Sequence, residues 1–154
     1  MVTCLFCQIV LGEVPAHIVW EDDEHVAFLS VFPNTDGVTV VIPKAHYGSD
    51  VWAMPEHAFH ALLSATRVVA LQLTRVFEDV GRTAVVFEGF GIDHVHAKLF
   101  PLHGTALSVW EPILSDVELF EAEYTGRVST HDGPRADDKY LARIADRIRG
   151  VDTA

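Results

Sequence analysis

Residues 88–101 read Glu88-Gly-Phe-Gly-Ile-Asp-His-Val-His-Ala-Lys-Leu-Phe-Pro101, and polar and apolar side chains alternate from residue 93 onward. A period of two is typical of a β-strand with one buried face. Side chains two residues apart share a face, at a separation of roughly 6.6 Å. We therefore expect His94, His96 and Lys98 to form one polar row, and the strand to end at Pro101, which cannot donate to a ladder. The alternate residues, which should point at a core, are Val95, Ala97 and Leu99.

Two interpretations of this polar row are open. Two imidazoles and one ammonium are costly to bury without partners, which favours a binding or catalytic site. The alternative is an edge strand whose polar side chains face solvent.

The bulk composition indicates a soluble globular protein of about one domain. The chain has 154 residues, of which 49% are apolar and 21% charged, and such a chain can bury a sizeable core. Its 11 basic and 22 acidic residues give a formal charge of −11. That charge repels nucleic-acid backbones, so we expect no polynucleotide partner. A small anionic ligand stays compatible with it where the local field is positive.

The amino terminus and the two cysteines bear on location. No segment approaches the roughly 18 to 20 apolar residues of a membrane span, and Met1-Val-Thr-Cys4 does not resemble a signal peptide. We therefore expect no membrane partner and a cytoplasmic location. In a reducing compartment Cys4 and Cys7 are expected to bind a metal rather than to form a disulfide. A C-x-x-C pair alone also fits a redox centre or free buried thiols.

Hydrophobic patterns predict the remaining elements. Clustered acidic residues at 22–24 suit a turn, and β-branched residues at 38–42 suit a central strand. Apolar side chains recur at helical spacing over residues 55–80, with Pro55 and Gly81 as boundary signals and with His57 and His60 on the surface. The further predicted elements are a hairpin over 17–31, strands at 83–87 and 118–124, a helix at 137–148 closed by Gly150, and a strap or interface at Trp110-Glu-Pro112.

Three motifs together resemble the histidine-triad (HIT) family of nucleotide-binding proteins. His94-Val-His96-Ala-Lys98-Leu-Phe-Pro101 is similar to the active-site strand of that family, with Lys98 where the third histidine usually stands. Cys4-Leu-Phe-Cys7-Gln-Ile-Val-Leu-Gly12 is similar to the amino-terminal segment. A third match runs from Gly37 to Ile42-Pro43-Lys44-Ala-His46. The resemblance covers roughly residues 3–103 and makes His96 the counterpart of the nucleophile.

The resemblance implies a fold and an assembly. It implies an α+β, HIT-like fold: an antiparallel sheet of about five strands with one long helix. A single domain would span residues 1–154, with a core of about 3–103 and a carboxyl-terminal extension over 104–154. A homodimer is the expected assembly.

The resemblance also implies a structural zinc ion. Related proteins use a histidine after Pro-Lys and the first histidine of the triad, which here are His46 and His94. The implied ligands are Cys4, Cys7, His46 and His94, a set that suits tetrahedral zinc.

Further residues are implied to bind the nucleotide, although the chain departs from the family there. Ser30 replaces the usual ribose-binding aspartate, and Val38 follows Gly37 where the family has histidine. The phosphate-binding segment is shortened to Glu88-Gly89-Phe90-Gly91. The resemblance places Phe28, Phe32 and Asn34 near the base and ribose, although core aromatics and a turn asparagine explain them nearly as well.

These residues predict covalent chemistry at phosphorus. Imidazole is largely neutral at pH 7, so His96 can attack an anionic phosphorus centre while Lys98 stabilises charge on the phosphoryl oxygens. His94 completes the catalytic row. We expect hydrolysis of a dinucleoside polyphosphate or nucleoside phosphoramidate through nucleotidyl-His96. The alternatives are a nucleotidyltransferase using the same intermediate, and a nucleotide-binding zinc module with little turnover.

Overall fold

The computed structural model describes residues 4–113 and 135–150, and an antiparallel sheet of five strands lies at its centre. The strands are β1 (Ile18–Glu21), β2 (His25–Leu29), β3 (Thr39–Pro43), β4 (Thr83–Val86) and β5 (Ala97–Pro101), in the order β1-β2-β3-β5-β4. The helices are α1 (Leu5–Val10), α2 (Glu56–Val76) and α3 (Asp138–Arg149), with a single 3-10 turn at Val51–Ala53. The predicted α+β class and strand number are confirmed.

The hairpin of β1 and β2 turns at the acidic residues, as predicted. The Asp22 carboxylate accepts hydrogen bonds from the backbone N–H groups of Glu24 at 2.9 Å and His25 at 2.6 Å. A short acidic side chain that binds its own backbone in this way favours a turn over a continued strand. The acidic cluster therefore forms the turn of this hairpin.

Helix α2 covers one face of the sheet. Its buried residues Leu62, Val69 and Leu73 pack in one cluster with Ala97 and Leu99 of β5. This is the apolar row that the alternation predicted for β5. His57 and His60 are exposed, as expected.

The prediction that α2 extends to residue 80 is wrong. The helix ends at Val76, and Phe77 is extended (φ −103°, ψ 108°). Phe77 and Val80 are buried nevertheless, because the connection to β4 packs into the core. Helical periodicity and a buried connection both place apolar residues at these positions, so the pattern did not mark the end.

The polar row begins before the ladder of β5. A strand was predicted from residue 93, but its first paired residue is Ala97, opposite Val41. The preceding backbone makes other bonds: the Val95 N–H donates to the Tyr47 carbonyl at 3.0 Å. His94 therefore lies in a bend and His96 in irregular backbone just before the strand.

The carboxyl-terminal helix belongs to the core. Asp137 caps α3 by accepting from two backbone N–H groups, and Leu141, Ile144 and Ile148 are buried in the core cluster shared with α2 and the sheet. The tail is thus more than the surface decoration that the sequence indicated. The strand predicted at 118–124 lies outside the described residues. Trp110-Glu-Pro112 borders an open cavity of about 900 Å³ beside Pro101, at the opposite end of β5 from His96.

Within residues 4–113 and 135–150, no helix is long and apolar enough to cross a membrane.

Replacing Gly37 with alanine is expected to destabilise the fold by about 2–3 kcal/mol. Gly37 has a φ of +79°, and a Cβ there would lie 2.5 Å from the Phe77 ring. Gly104→Ala is the matched control, because Gly104 has a φ of +75° with no atom within 4 Å of the added Cβ. Urea unfolding should show a clearly larger loss for Gly37→Ala. Equal losses would mean that crowding against Phe77 is unimportant.

Candidate active site and metal centre

Cys4, Cys7, His46 and His94 converge at the start of α1. Their potential ligand atoms all lie within 4.8 Å of one another. Cys4 precedes α1 and Cys7 lies one turn further, so both thiols are on the same side of the helix. The measured contacts are Cys4 Sγ to His94 Nδ1 at 3.5 Å, Cys7 Sγ to His94 Nδ1 at 3.5 Å and Cys7 Sγ to His46 Nδ1 at 3.3 Å.

The hydrogen bonding of His94 prepares it as a ligand. Its Nε2–H donates to the Pro43 carbonyl at 2.9 Å, and the side chain is fully buried. Burial lowers the pKa of His94, which favours the neutral ring. With its proton on Nε2, the ring directs the Nδ1 lone pair at both thiols. A backbone acceptor on the outer nitrogen is the usual arrangement for a metal-binding histidine.

The donor set and its spacing fit a tetrahedral metal ion such as zinc. Ligand bonds of about 2.3 Å to sulfur and about 2.05 Å to nitrogen imply a sulfur–nitrogen separation of about 3.6 Å. The observed contacts of 3.3–3.5 Å lie close to that value. Burial and the neighbouring Cys4 thiol raise the pKa of Cys7, so a bound cation is what would favour its thiolate. The four residues could therefore hold a metal ion.

His96 has one ring nitrogen bonded and the other available. Its Nδ1–H donates to the His94 carbonyl at 2.8 Å, and its side chain is largely buried, at 8% exposure. This bond keeps the proton on Nδ1 and the lone pair on Nε2. An imidazole oriented in this way can act as a nucleophile or a general base.

Phe6 links the metal centre to His96, a role that the sequence analysis missed. Its ring lies edge-on to His94, His96 and Phe28, with centroid separations of 5.8, 5.3 and 5.5 Å. Phe6 stands between the two cysteines on α1, so the helix that carries the thiols also packs against His96. The position of Phe6 inside the C-x-x-C was the available signal.

Lys98 lies on the sheet face opposite α2. In the ladder it stands between Val40 of β3 and Val86 of β4, and Val40 faces Phe28 of β2. Lys98 is only 9% exposed, and its Nζ lies 5.5 Å from the centre of the Phe100 ring. A solvated surface lysine, which was one of the two interpretations of the polar row, does not fit this burial.

The predicted base- and ribose-binding residues lie on β2 and just after it. Phe28 is buried against Phe6, whereas Phe32 and Asn34 are exposed in the connection between β2 and β3. The Ser30 hydroxyl accepts a hydrogen bond from the Phe32 N–H at 3.2 Å, which ties it to its own turn. Contact of these residues with a nucleotide stays a prediction.

The shortened loop before β5 is anchored at one glycine and open at the other. Gly89 has a φ of +73°, and a Cβ there would lie 2.6 Å from the Ser49 carbonyl oxygen, so only glycine fits. Gly91 has nothing within 4 Å of an added Cβ, and it borders a cavity of about 400 Å³ together with Cys4 and His46. Gly91 is thus exposed beside the metal centre.

Comparison with known proteins assigns the family. The model of the HIT domain matches residues 11–105. An uncharacterised HIT-like protein of Mycobacterium tuberculosis is 32% identical over 136 residues, which cover 81% of this chain and 89% of that protein. The chain belongs to the HIT family.

Solved structures show the same fold at low sequence identity. A hypothetical histidine triad nucleotide-binding protein from Sulfolobus tokodaii has a TM-score of 0.71 and 22% identity, over 96% of this chain and 90% of that chain. A zinc-bound histidine triad family protein from Mycobacterium smegmatis has a TM-score of 0.60 and 20% identity, over 98% of this chain and 96% of that chain.

Proposed function

We propose that the protein hydrolyses a nucleoside phosphate derivative, of the dinucleoside polyphosphate or phosphoramidate type, through a covalent nucleotidyl-His96 intermediate. The observation that carries the proposal is the 2.8 Å hydrogen bond from His96 Nδ1–H to the His94 carbonyl. It leaves Nε2 as an oriented, unprotonated nitrogen beside a buried lysine.

The proposed reaction has two displacements at one phosphorus atom. In the first, the Nε2 lone pair forms a nitrogen–phosphorus bond as the bond to the leaving group breaks. In the second, water forms an oxygen–phosphorus bond as the nitrogen–phosphorus bond breaks, which releases the nucleoside monophosphate and a proton. Covalent catalysis of this kind divides one difficult displacement into two easier ones.

The protein's own groups favour both steps. The His94 carbonyl stabilises the positive ring that forms when Nε2 bonds to phosphorus, since the carbonyl accepts the Nδ1–H throughout. The Lys98 ammonium would attract the phosphoryl oxygens as they gain negative charge. It also supplies local positive charge in a chain of net charge −11. That the solved Sulfolobus relative is described as nucleotide-binding supports a nucleotide as the ligand.

We assign a structural role to zinc bound by Cys4, Cys7, His46 and His94. When bound, zinc would hold the two thiolates and two imidazoles in one rigid centre. Because the His94 carbonyl orients His96, fixing His94 also fixes the nucleophile. The zinc-bound Mycobacterium smegmatis relative supports this choice of metal.

The proposal also includes the protein's ligand, location and assembly. A small nucleotide is the partner, with neither a polynucleotide nor a membrane, and the location is cytoplasmic. A homodimer is consistent with β4, an edge strand of the sheet on which Val85 is 45% exposed. Unpaired edge strands commonly serve for association.

Intact-protein mass spectrometry tests the function directly. The protein is mixed rapidly with candidate dinucleoside polyphosphates and phosphoramidates and quenched at neutral pH, because a nitrogen–phosphorus bond is labile in acid. We expect a mass increase of one nucleoside monophosphate on the parent and none on His96→Ala. Discharge that needs added phosphate, with a nucleoside diphosphate as product, would instead show a transferase. Absence of the adduct alongside measured turnover would refute the covalent mechanism.

Lys98 is expected to affect turnover more than affinity. Lys98→Ala should lower the rate constant about 100-fold with a smaller change in substrate affinity, because its charge matters most as the phosphoryl oxygens gain charge. A lysine holds its proton tightly and protonates a basic amine leaving group poorly. The parent should therefore prefer a phosphoanhydride to a phosphoramidate, and Lys98→His should shift the ratio toward the phosphoramidate.

Steady-state kinetics on one substrate of each kind measures both effects. Lys139→Ala removes the same charge from the exposed surface of α3 and should leave the rates unchanged. Rates equal to those of the parent on both substrates for Lys98→Ala would leave Lys98 without a catalytic role.

A further inference from the structure

The register of the sheet brings an acidic residue next to Lys98. Val86 is paired with Lys98 in the ladder of β4 and β5, so the two side chains lie on the same face. Phe87 packs on the other face, against the core cluster that contains Ala97 and Leu99. β4 ends at Val86, but the inward packing of Phe87 continues its alternation for one more residue. We therefore infer that Glu88 lies on the face of Lys98.

The separation expected between Glu88 and Lys98 allows their side chains to touch. Residues placed diagonally across an antiparallel pair have Cα atoms about 7–8 Å apart, within reach of long side chains. Glu88 stands diagonally to Lys98 in this sense. Lys98 is 9% exposed and Glu88 is half-buried, so water screens a charge pair here less than at the surface.

The position of Glu88 is held by its neighbour. Gly89, the next residue, approaches the Ser49 carbonyl so closely that no Cβ fits. This contact fixes the backbone directly after Glu88, and the half-buried side chain of Glu88 therefore starts from a defined position. It stands beside the lysine that replaces the third histidine of the row.

We propose that Glu88 and Lys98 form an ion pair beside His96, and that this pair makes the site prefer an internal phosphorus over a terminal phosphate. The inference rests on the proposed function and names the charge state of the substrate. An internal phosphorus, bonded to the nucleoside and to the leaving group, carries one negative charge. A terminal phosphate carries about 1.5–2 negative charges at pH 7.

The Glu88 carboxylate repels a terminal phosphate more strongly than an internal one. Electrostatic energy is proportional to charge, so the repulsion of a dianion is about twice that of a monoanion at the same place. Lys98 still holds one phosphoryl oxygen of the substrate. The monophosphate product gains a charge on release from His96 and is expelled, which limits product inhibition.

Two measurements test the proposal, and the first needs no nucleotide. Thermal unfolding of Glu88→Gln, Lys98→Met and the double variant forms a double-mutant cycle. We expect the double variant to lose about 3 °C less than the sum of the single losses, because either single change leaves one charge unpaired. Additive losses would overturn the ion pair.

The second measurement is the affinity of a nucleoside monophosphate and of its methyl phosphodiester, each with adenine and with guanine, by calorimetry. Glu88→Gln should bind the monophosphate about tenfold tighter than the parent does and the phosphodiester only about threefold tighter. Glu78→Gln is the control. This exposed carboxylate precedes β4, at the end of the strand away from Glu88, and its removal should change neither affinity. Equal tightening for the two ligands would overturn the charge preference.

A wrong proposed function would give different results from a wrong charge preference. A parent that binds none of these nucleotides and forms no adduct would refute the function and with it the charge preference. The stability cycle would then still decide whether the ion pair exists.

Discussion

His96→Ala is expected to lower the rate of substrate hydrolysis at least about a thousandfold while changing nucleotide affinity by less than about tenfold. The ring forms the covalent bond in the transition state but contributes only a part of the ground-state contacts. The loss should therefore fall on the rate constant. Single-turnover kinetics together with equilibrium binding separates the two quantities.

His57→Ala is the control for this variant. His57 is an exposed histidine on α2, and its removal should leave both turnover and affinity unchanged. The unfolding midpoint of His96→Ala, measured alongside, shows whether the variant is folded under the assay conditions and so separates a lost rate from a folding defect. Hydrolysis by His96→Ala at the parent rate on every substrate would disprove nucleophilic catalysis by His96.

Cys7→Ser is expected to abolish stoichiometric zinc binding and to lower the unfolding midpoint by about 10 °C. Structural zinc contributes to folding free energy directly. Here a core formed by the sheet, α2 and α3 remains, so we expect a loss of about 3–5 kcal/mol and a protein that still folds. Metal analysis of the purified parent should give one zinc per chain.

A strong chelator distinguishes loss of metal from loss of packing. It should lower the midpoint of the parent to about that of Cys7→Ser and should barely affect Cys7→Ser itself. His60→Ala, which removes an exposed histidine from α2, should bind zinc and respond to the chelator as the parent does. A parent without zinc, whose stability no chelator changes, would rule out the metal centre.

The effect of Cys7→Ser should extend to catalysis. Phe6 lies between the two cysteines and packs against His96, and the His94 carbonyl orients the His96 ring. Loosening α1 and His94 therefore loosens the nucleophile. We expect turnover to fall in Cys7→Ser although the changed atom is no part of the reaction.

Local patterns were sufficient for most of the fold. The alternation at Val95, Ala97 and Leu99 predicted a buried face because a strand exposes successive side chains to opposite sides. All three residues are fully buried. The acidic turn and the long helix were likewise predictable from the sequence, since each depends on interactions between residues a few positions apart. The family motifs also selected Cys4, Cys7, His46 and His94, which the structure brings together.

Tertiary contacts decided where these elements end. Apolar spacing continued through Phe77 and Val80, but the chain leaves the helix at Val76. A residue buried by a helix and one buried by a connection look alike in sequence, because burial alone selects for apolar side chains. The same holds for α3, whose amphipathic pattern showed a helix but not that it packs beside α2 on β1 and β2.

The tautomers of the two central histidines also needed the three-dimensional structure. Sequence identifies His94 and His96 as imidazoles, each with two nitrogens of similar chemistry. Which nitrogen carries the proton depends on an acceptor that is distant in sequence for His94, the Pro43 carbonyl, and on a local backbone bend for His96. Composition and spacing specify side chains, whereas these acceptors are backbone atoms that every residue possesses. Only the fold determines which of them comes within hydrogen-bonding distance.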